Sequence, residues 1–224
     1  MNDFQINSKQ KSQFEKYFLF LTEENKKINL TAIIEREEVF IKHFYDSLKL
    51  GEVIDFLKVK KLLDIGSGAG FPGIPIKIMY PELELYIIEP TLKRVRFLTD
   101  LVRMLELKGV QIISGRAEDL IVNFREAFPI VTARAVASLP VLLELCLPYV
   151  EVGGYFLAMK GSTYQAEVLK SIRALKLLDS EIIEECLYQL PENQGNRVIL
   201  KIRKNKRTKE VYPRKYAAIK KRHL

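Results

Sequence analysis

Residues 62–73 read LLDIGSGAGFPG, an apolar run carrying an acid that enters a loop with glycine at 66, 68, 70 and 73. A strand that feeds a glycine-rich loop and then a helix is the opening unit of an open α/β sheet. Ligands in such sheets sit beyond the carboxyl ends of the strands, near the point where strand order reverses. Glycine belongs in that loop because a side chain would block the backbone's approach to a ligand. The flanking sequence repeats the unit. KKLLDI, ELYIIE, VQII, PIVTA and GYFLAMK are short apolar runs, and PGIPIKIMY, TLKRVRFLTDLVRMLEL and SLPVLLELCLPYV have helical spacing. In the second of these helices Leu92, Val95, Leu98, Leu101, Val102 and Leu105 make one apolar face. VGG at 152–154 reads as a turn into the fifth strand. After a further helix (YQAEVLKSIRALKLL), EIIEECLYQL and NRVILKIRK are joined by PENQG, a connection short enough for an antiparallel hairpin. The expected fold is α/β, doubly wound, with a mostly parallel seven-stranded sheet and an antiparallel last strand.

The first 57 residues read differently, as a helical extension. Phe14, Tyr17, Phe18 and Leu21 follow i, i+3, i+4, i+7 spacing, and EREEVFIKHFYDSLKL predicts a second helix with acids in its first turn. The expected organisation is this extension at 1–57, the sheet domain at 58–203 and a basic tail at 204–224. With 224 residues, 48% of them hydrophobic, one well-cored domain is expected. No apolar run nears the ~20 residues of a membrane span. Nor has the N-terminus an apolar signal-peptide core. Cys146 and Cys186 have no C-x-x-C spacing, which argues against a zinc site or a disulfide framework and suits a reducing cytosol. A cytoplasmic monomer with no metal and no membrane partner is expected.

The net charge is +8, and it is local: residues 201–224 hold eleven Lys or Arg against one Glu, leaving the first 200 residues at −2. Such a patch attracts polyphosphate by counterion release. Tyr212, Pro213 and Tyr216 interrupt it with groups able to order or stack.

Glycine spacing narrows the ligand. A dinucleotide site wants G-x-G-x-x-G, but Gly66, Gly68 and Gly70 give G-x-G-x-G and the third dinucleotide position is Phe71. Asp64 before the loop would repel a pyrophosphate and attract a cation. S-adenosylmethionine is such a cation. Asp64, Gly66, Ser67, Gly68 and Gly70 are thus expected around its methionine part. Glu89, closing the second strand, can accept both hydroxyls of a ribose diol. In GRAEDL, Ala117 leaves room for a flat ring, with Glu118 or Asp119 to accept from an adenine amine.

Taken together, NKKINLTAI (25–33), KHFYDSL (42–48), LLDIGSGAGFPGIPIKI (62–78), KRVRFL (93–98), GRAED (115–119), VTARAVASLP (131–140), GGYFLAMKG (153–161) and YPRK (212–215) resemble the RsmG (GidB) family. That resemblance implies the class I S-adenosylmethionine-dependent methyltransferase fold. It also implies transfer of a methyl group to N7 of one guanine in the decoding-region loop of 16S rRNA, in the small ribosomal subunit. Gly66, Phe71, Ala117, Glu118 and Arg134 match positions that contact the cofactor in that family. The tail departs from the family's usual Gly-x-Pro continuation after YPR, and no Trp precedes NKKINLTAI. Guanine N7 attacks through an in-plane lone pair, so neither a general base nor a covalent nucleophile is required. Arg134 is then assigned to cofactor, phosphate or base edge; its rival reading is a strand-end salt bridge to Glu118 or Glu89. His43 and Asp46 share a helix face, either as a catalytic pair or as a structural pair holding the N-terminal block over the loop. RNA contact is expected from Arg94, Arg96, Lys160, Arg203, Lys204, Lys206, Arg207, Arg214 and Lys215. The alternatives are a methyltransferase of another RNA and a non-catalytic RNA-binding module on the same fold.

Overall fold

The computed structural model of the chain describes residues 4–224; residues 1–3 of the expected extension lie outside the described residues. Seven strands form one sheet: β1 (Lys61–Ile65), β2 (Glu84–Glu89), β3 (Val110–Ser114), β4 (Phe128–Arg134), β5 (Val150–Gly161), β6 (Ser180–Gln189) and β7 (Asn196–Lys204). Their order is β3-β2-β1-β4-β5-β7-β6, so the reversal falls between β1 and β4. The first five strands are parallel and β7 runs antiparallel to both β5 and β6, as the short PENQG connection predicts.

Period-2 alternation divides the core between the two faces. Leu62, Leu85, Ile87, Leu157 and Ile199 point to one side. Leu63, Ile88, Phe156, Ala158, Val198, Leu200 and Ile202 point to the other. The first face is covered by α1 (Ser8–Ile28), α4 (Gly73–Met79) and α5 (Leu92–Met104). The helical stretch made of α2 (Arg36–Val39), a π-helical segment Phe40–Tyr45, α3 (Asp46–Leu48) and a 3₁₀ turn Lys49–Glu52 packs there too. The second face is covered by α6 (Ala117–Phe124), α7 (Leu139–Cys146), α8 (Tyr164–Leu177) and α9 (Tyr216–Lys221).

The N-terminal stripe is real core. Phe14, Tyr17 and Leu21 are buried, each worth about 1.5–3 kcal/mol of transfer free energy, and Phe18 packs at their edge. Asn7 and Gln10 close a capping box at the start of α1. Two expectations need correction. Leu92 does not belong to the α5 stripe but is 63% exposed, while Phe97 is buried in the core. VGG at 152–154 is no turn before a strand; it lies inside β5, where the register to β4 jumps between Phe128 and Ile130. Gly153 sits there at φ +86°, and the extra residues are taken up as a bulge. Among the described residues no helix is long and apolar enough to cross a membrane.

Candidate cofactor and substrate sites

The loop after β1 closes on itself through Asp64. This carboxylate is fully buried, accepts from Ser67 Oγ at 2.7 Å and from Gly73 N at 2.9 Å with the same oxygen, and leaves Oδ1 without a partner. Burial pushes its pKa up to about 6, against the two hydrogen bonds that favour the charged form. Asp64 therefore stands beneath the loop, shaping it and placing negative charge under it, instead of lining the cavity above. Glycine is required at two points. Gly66 has φ +71°, and a Cβ there would lie 2.7 Å from Val136 Cγ2. Gly70 has φ +103°, and its Cβ would meet Tyr17 Oη at 2.6 Å.

Above the loop lies a cavity of about 270 Å³ lined by Gly66, Glu89, Ala117 and Glu118 among others. Glu89 is 1% exposed; its two oxygens accept from Gly68 N at 3.0 Å and Thr91 N at 2.9 Å. Each oxygen keeps a second lone-pair site, enough for a hydroxyl pair. Ala117 is buried with its carbonyl held by Tyr149 Oη. Carboxylates under and around the cavity, an open face at Gly68 and a small residue at 117 fit a cationic nucleoside such as S-adenosylmethionine. Ser67, Gly70 and Phe71 are buried behind this cavity. Val136, Leu145, Arg116 and Tyr216 also line it, and sequence reading missed all four.

A second cavity, about 420 Å³, opens on the other side of Ala135. Lys42, His43, Asp46, Arg134, Lys160, Glu167 and Arg197 line it. Ala135 borders both cavities and has φ +55°, a strained backbone held where the two meet. Arg134, at the end of β4, faces this second cavity. It donates to Asp46 Oδ2 at 2.9 Å and to Lys42 O at 3.1 Å, and its ion-pair partner is Asp46, not Glu118 or Glu89. The other oxygen of Asp46 accepts from Tyr188 Oη at 2.7 Å, with Arg197 Nε 3.9 Å away.

The π-helical segment brings His43 and Asp46 to the same arginine. His43 Nδ1 lies 3.2 Å from both Arg134 Nη2, which can only donate, and the Lys42 carbonyl, which can only accept, and Nε2 lies 2.9 Å from Thr31 Oγ1. Burial and then the Arg134 charge push the His43 pKa down to about 3, so the ring is neutral. His43 stacks on Phe71 (centroids 4.5 Å apart), Tyr17 stacks on the same ring at 5.3 Å, and Arg134 lies 5.0 Å from its centroid. Phe71 is thus the post on which the N-terminal block rests, with His43 stacked on it and Asp46 paired to Arg134. Cys146 is wholly buried, its thiol pKa raised by desolvation.

The expected RNA-contacting cations are scattered. Arg94 lines the Glu89 cavity, 3.9 Å from that carboxylate, and Arg96 is exposed on α5. Lys160 is not a free surface lysine; it donates to Ala137 O at 2.8 Å and pairs with Glu167 at 2.7 Å. Lys204 is a correction: its ammonium is buried, held by Glu126 and the carbonyls of Leu147 and Val150. Because β7 runs antiparallel, Gly161 at the site rim faces Arg197, while Arg203 faces Tyr155 further down. Arg203, Lys206 and Arg207 accordingly lie toward the far end of the sheet, with Arg207 and Lys206 near Glu126 and Asp179. Arg214 is half-buried on Glu144, and exposed Lys215 pairs with Asp119 at 2.6 Å.

Solved structures share the fold at low identity. A putative O-methyltransferase from Klebsiella pneumoniae aligns with TM-score 0.58 at 14% identity, covering 85% of this chain and 90% of that one. TYW2 of M. jannaschii in complex with AdoMet aligns with TM-score 0.55 at 15% identity, covering 71% of this chain and 76% of its own. Sequence similarity reaches further. The ribosomal RNA small subunit methyltransferase G of Streptococcus pneumoniae is 48% identical over 98% of this chain and 93% of the relative. Its counterpart from Macrococcus caseolyticus is 46% identical over 95% of the chain and 90% of the relative. The GidB model, described as rRNA small subunit methyltransferase G, matches residues 10–190. With the glycine loop, Glu89, Ala117, Glu118, His43, Asp46 and Arg134 all inside that match, the chain belongs to the GidB family of S-adenosylmethionine-dependent methyltransferases.

Proposed function

We propose that this protein transfers the methyl group of S-adenosylmethionine to N7 of one guanine in 16S rRNA of the small ribosomal subunit, acting as a cytoplasmic monomer. The observation that carries the reading is the meeting of two cavities at Ala135, one bordered by Glu89 and the other by Arg134. The cofactor, when bound, supplies an electrophilic methyl group on a sulfonium. The chain's own residues do the holding. Glu89 accepts from the ribose hydroxyls, the loop from Gly66 to Gly70 leaves the backbone bare, and Ala117 gives a flat ring room. Across Ala135, Arg134 is locked by Asp46, His43 and Lys42 O, so its guanidinium is preorganised to position a base edge or its phosphate.

Neither His43 nor Asp46 is free to act as a base at this junction. His43 is neutral but hydrogen-bonded at both nitrogens, and Asp46 is occupied by Arg134 and Tyr188. That suits a lone-pair nucleophile that needs no proton removed. Asp46 also offsets positive charge that moves onto the base during transfer. Catalysis here is positioning, a factor worth up to about 7–11 kcal/mol in favourable cases. Of the expected RNA-contacting cations, Arg94 lines the cofactor cavity and is offered for phosphate contact there; Arg203, Lys206 and Arg207 would touch only RNA that wraps the body.

The deciding experiment is mass mapping of 16S rRNA from cells lacking the protein, with complementation. One methyl missing from one guanine, restored by the gene, supports the reading. Complete methylation, or loss from another RNA or another atom, overturns it. Thermal stabilisation by the cofactor without any methyl transfer would favour a binding module instead.

A further inference from the structure

Beyond β7 the chain turns back along the face that carries α6 and α7. Several contacts pin it there. Arg125 donates to the carbonyl of Tyr212 at 2.7 Å. Arg214 takes both oxygens of Glu144 at 2.7 Å each through its guanidinium, and its backbone N–H donates to the same carboxylate at 3.0 Å. Glu144 is 0% exposed, so without this arginine it would be a buried charge with no counterion. Past that clamp, Ile219 of α9 is fully buried in the second core.

Between the clamp and Ile219 stands Tyr216, which lines the cofactor cavity together with Glu89, Ala117 and Glu118. The Arg116 guanidinium lies 5.6 Å from its ring centroid, a cation over an aromatic face at the cavity mouth. We propose that Tyr216 is a cofactor-binding residue. The docked tail forms the adenine-side wall of the cavity, so a segment that reads from sequence as an RNA-binding arm completes the cofactor site. An aromatic ring beside a small residue and an acceptor is what a flat heteroaromatic base with an exocyclic amine requires. The inference rests on S-adenosylmethionine as the ligand of that cavity.

The test is calorimetric titration of S-adenosylmethionine into the full-length protein and its variants. Tyr216→Ala should raise Kd about tenfold, equal to about 1.4 kcal/mol, while Tyr216→Phe stays near wild type. The chain has no Trp, so Tyr216→Trp places its sole indole at the cavity. Titration with S-adenosylmethionine should then change that emission and saturate at the Kd that calorimetry gives for the same variant. An unchanged Kd for Tyr216→Ala, or an indole indifferent to the ligand, overturns the role of Tyr216 while leaving the cavity's assignment intact. Failure of the wild-type protein to bind the cofactor would instead sink the assignment and this inference together. Should the alanine variant not fold, the indole titration decides alone.

Discussion

The two cavities on either side of Ala135 are built by opposite means. The cofactor side is largely a row of strand ends: the loop after β1, Glu89 after β2, and Ala117 with Glu118 after β3. Each element there needs only its neighbouring strand to be in place. The substrate side gathers residues 42, 43 and 46, then 134, then 160, then 188 and 197, from helix, strand end and hairpin. Local chain geometry makes most of the first, Tyr216 of the docked tail excepted; the whole tertiary structure has to exist before the second does. Charges follow the same division. Glu89 is met mainly by backbone N–H groups, whereas Asp46 is met by two arginines and a tyrosine.

That contrast is open to attack. The largest effect should come from Asp46→Ala. It removes the carboxylate from a buried ion pair with Arg134, whose side chain is 13% exposed, and should cost about 3–5 kcal/mol of stability, read as a fall in the denaturation midpoint. An unshifted midpoint would mean the substrate side does not hold the fold together. Next, Glu89→Gln should weaken S-adenosylmethionine binding about 10- to 100-fold, as loss of a hydrogen bond to a charged group implies. A smaller drop would move the ribose contact elsewhere. Arg134→Lys keeps the charge and loses the fork. Turnover on small subunits should fall about tenfold while cofactor Kd stays within about twofold, separating the two cavities in one variant. Equal losses in both would join them.

The last effect is in pH dependence, and the two sides have opposite signs. His43 is held down to about 3 from 6.5, so the unfolded chain binds the extra proton, and the stability it confers is lost as pH falls below 6.5. Asp64 is raised to about 6 from 3.8, so the folded chain binds the extra proton, and that stability is lost as pH rises toward 6. Between about pH 4 and 6 the two slopes oppose each other, near one proton each. His43→Gln should therefore expose the Asp64 slope, giving stability that falls with rising pH relative to wild type. Parallel curves for the two proteins would show that His43 titrates normally.

Legibility followed the same line. Phe14, Tyr17 and Leu21 announce a buried stripe by spacing alone, and the glycine loop announces a ligand. The spacing of α5 misplaced Leu92, its exposed first residue, because period tells which residues share a face but not how far along the helix that face is covered. Phe71 was legible as a residue no dinucleotide site would hold, yet its role as a post under Tyr17 and His43 was not. Lys204 looked like one more cation in a basic run. Only the antiparallel return of β7 shows it entering the core to meet Glu126 and two carbonyls.

The sequence by itself determined the order of strands and helices, the place of the loop and the sign of the ligand it invites, because period, glycine and charge act within a few residues of themselves. The tertiary structure alone decided what Arg134 pairs with, that the tail docks at Glu144, and that Tyr216 reaches the cofactor cavity. Those outcomes depend on long-range packing of segments far apart in the chain, 92 residues in the Arg134–Lys42 contact and more between Tyr216 and Glu89, and no local pattern encodes which distant partner a buried charge will find.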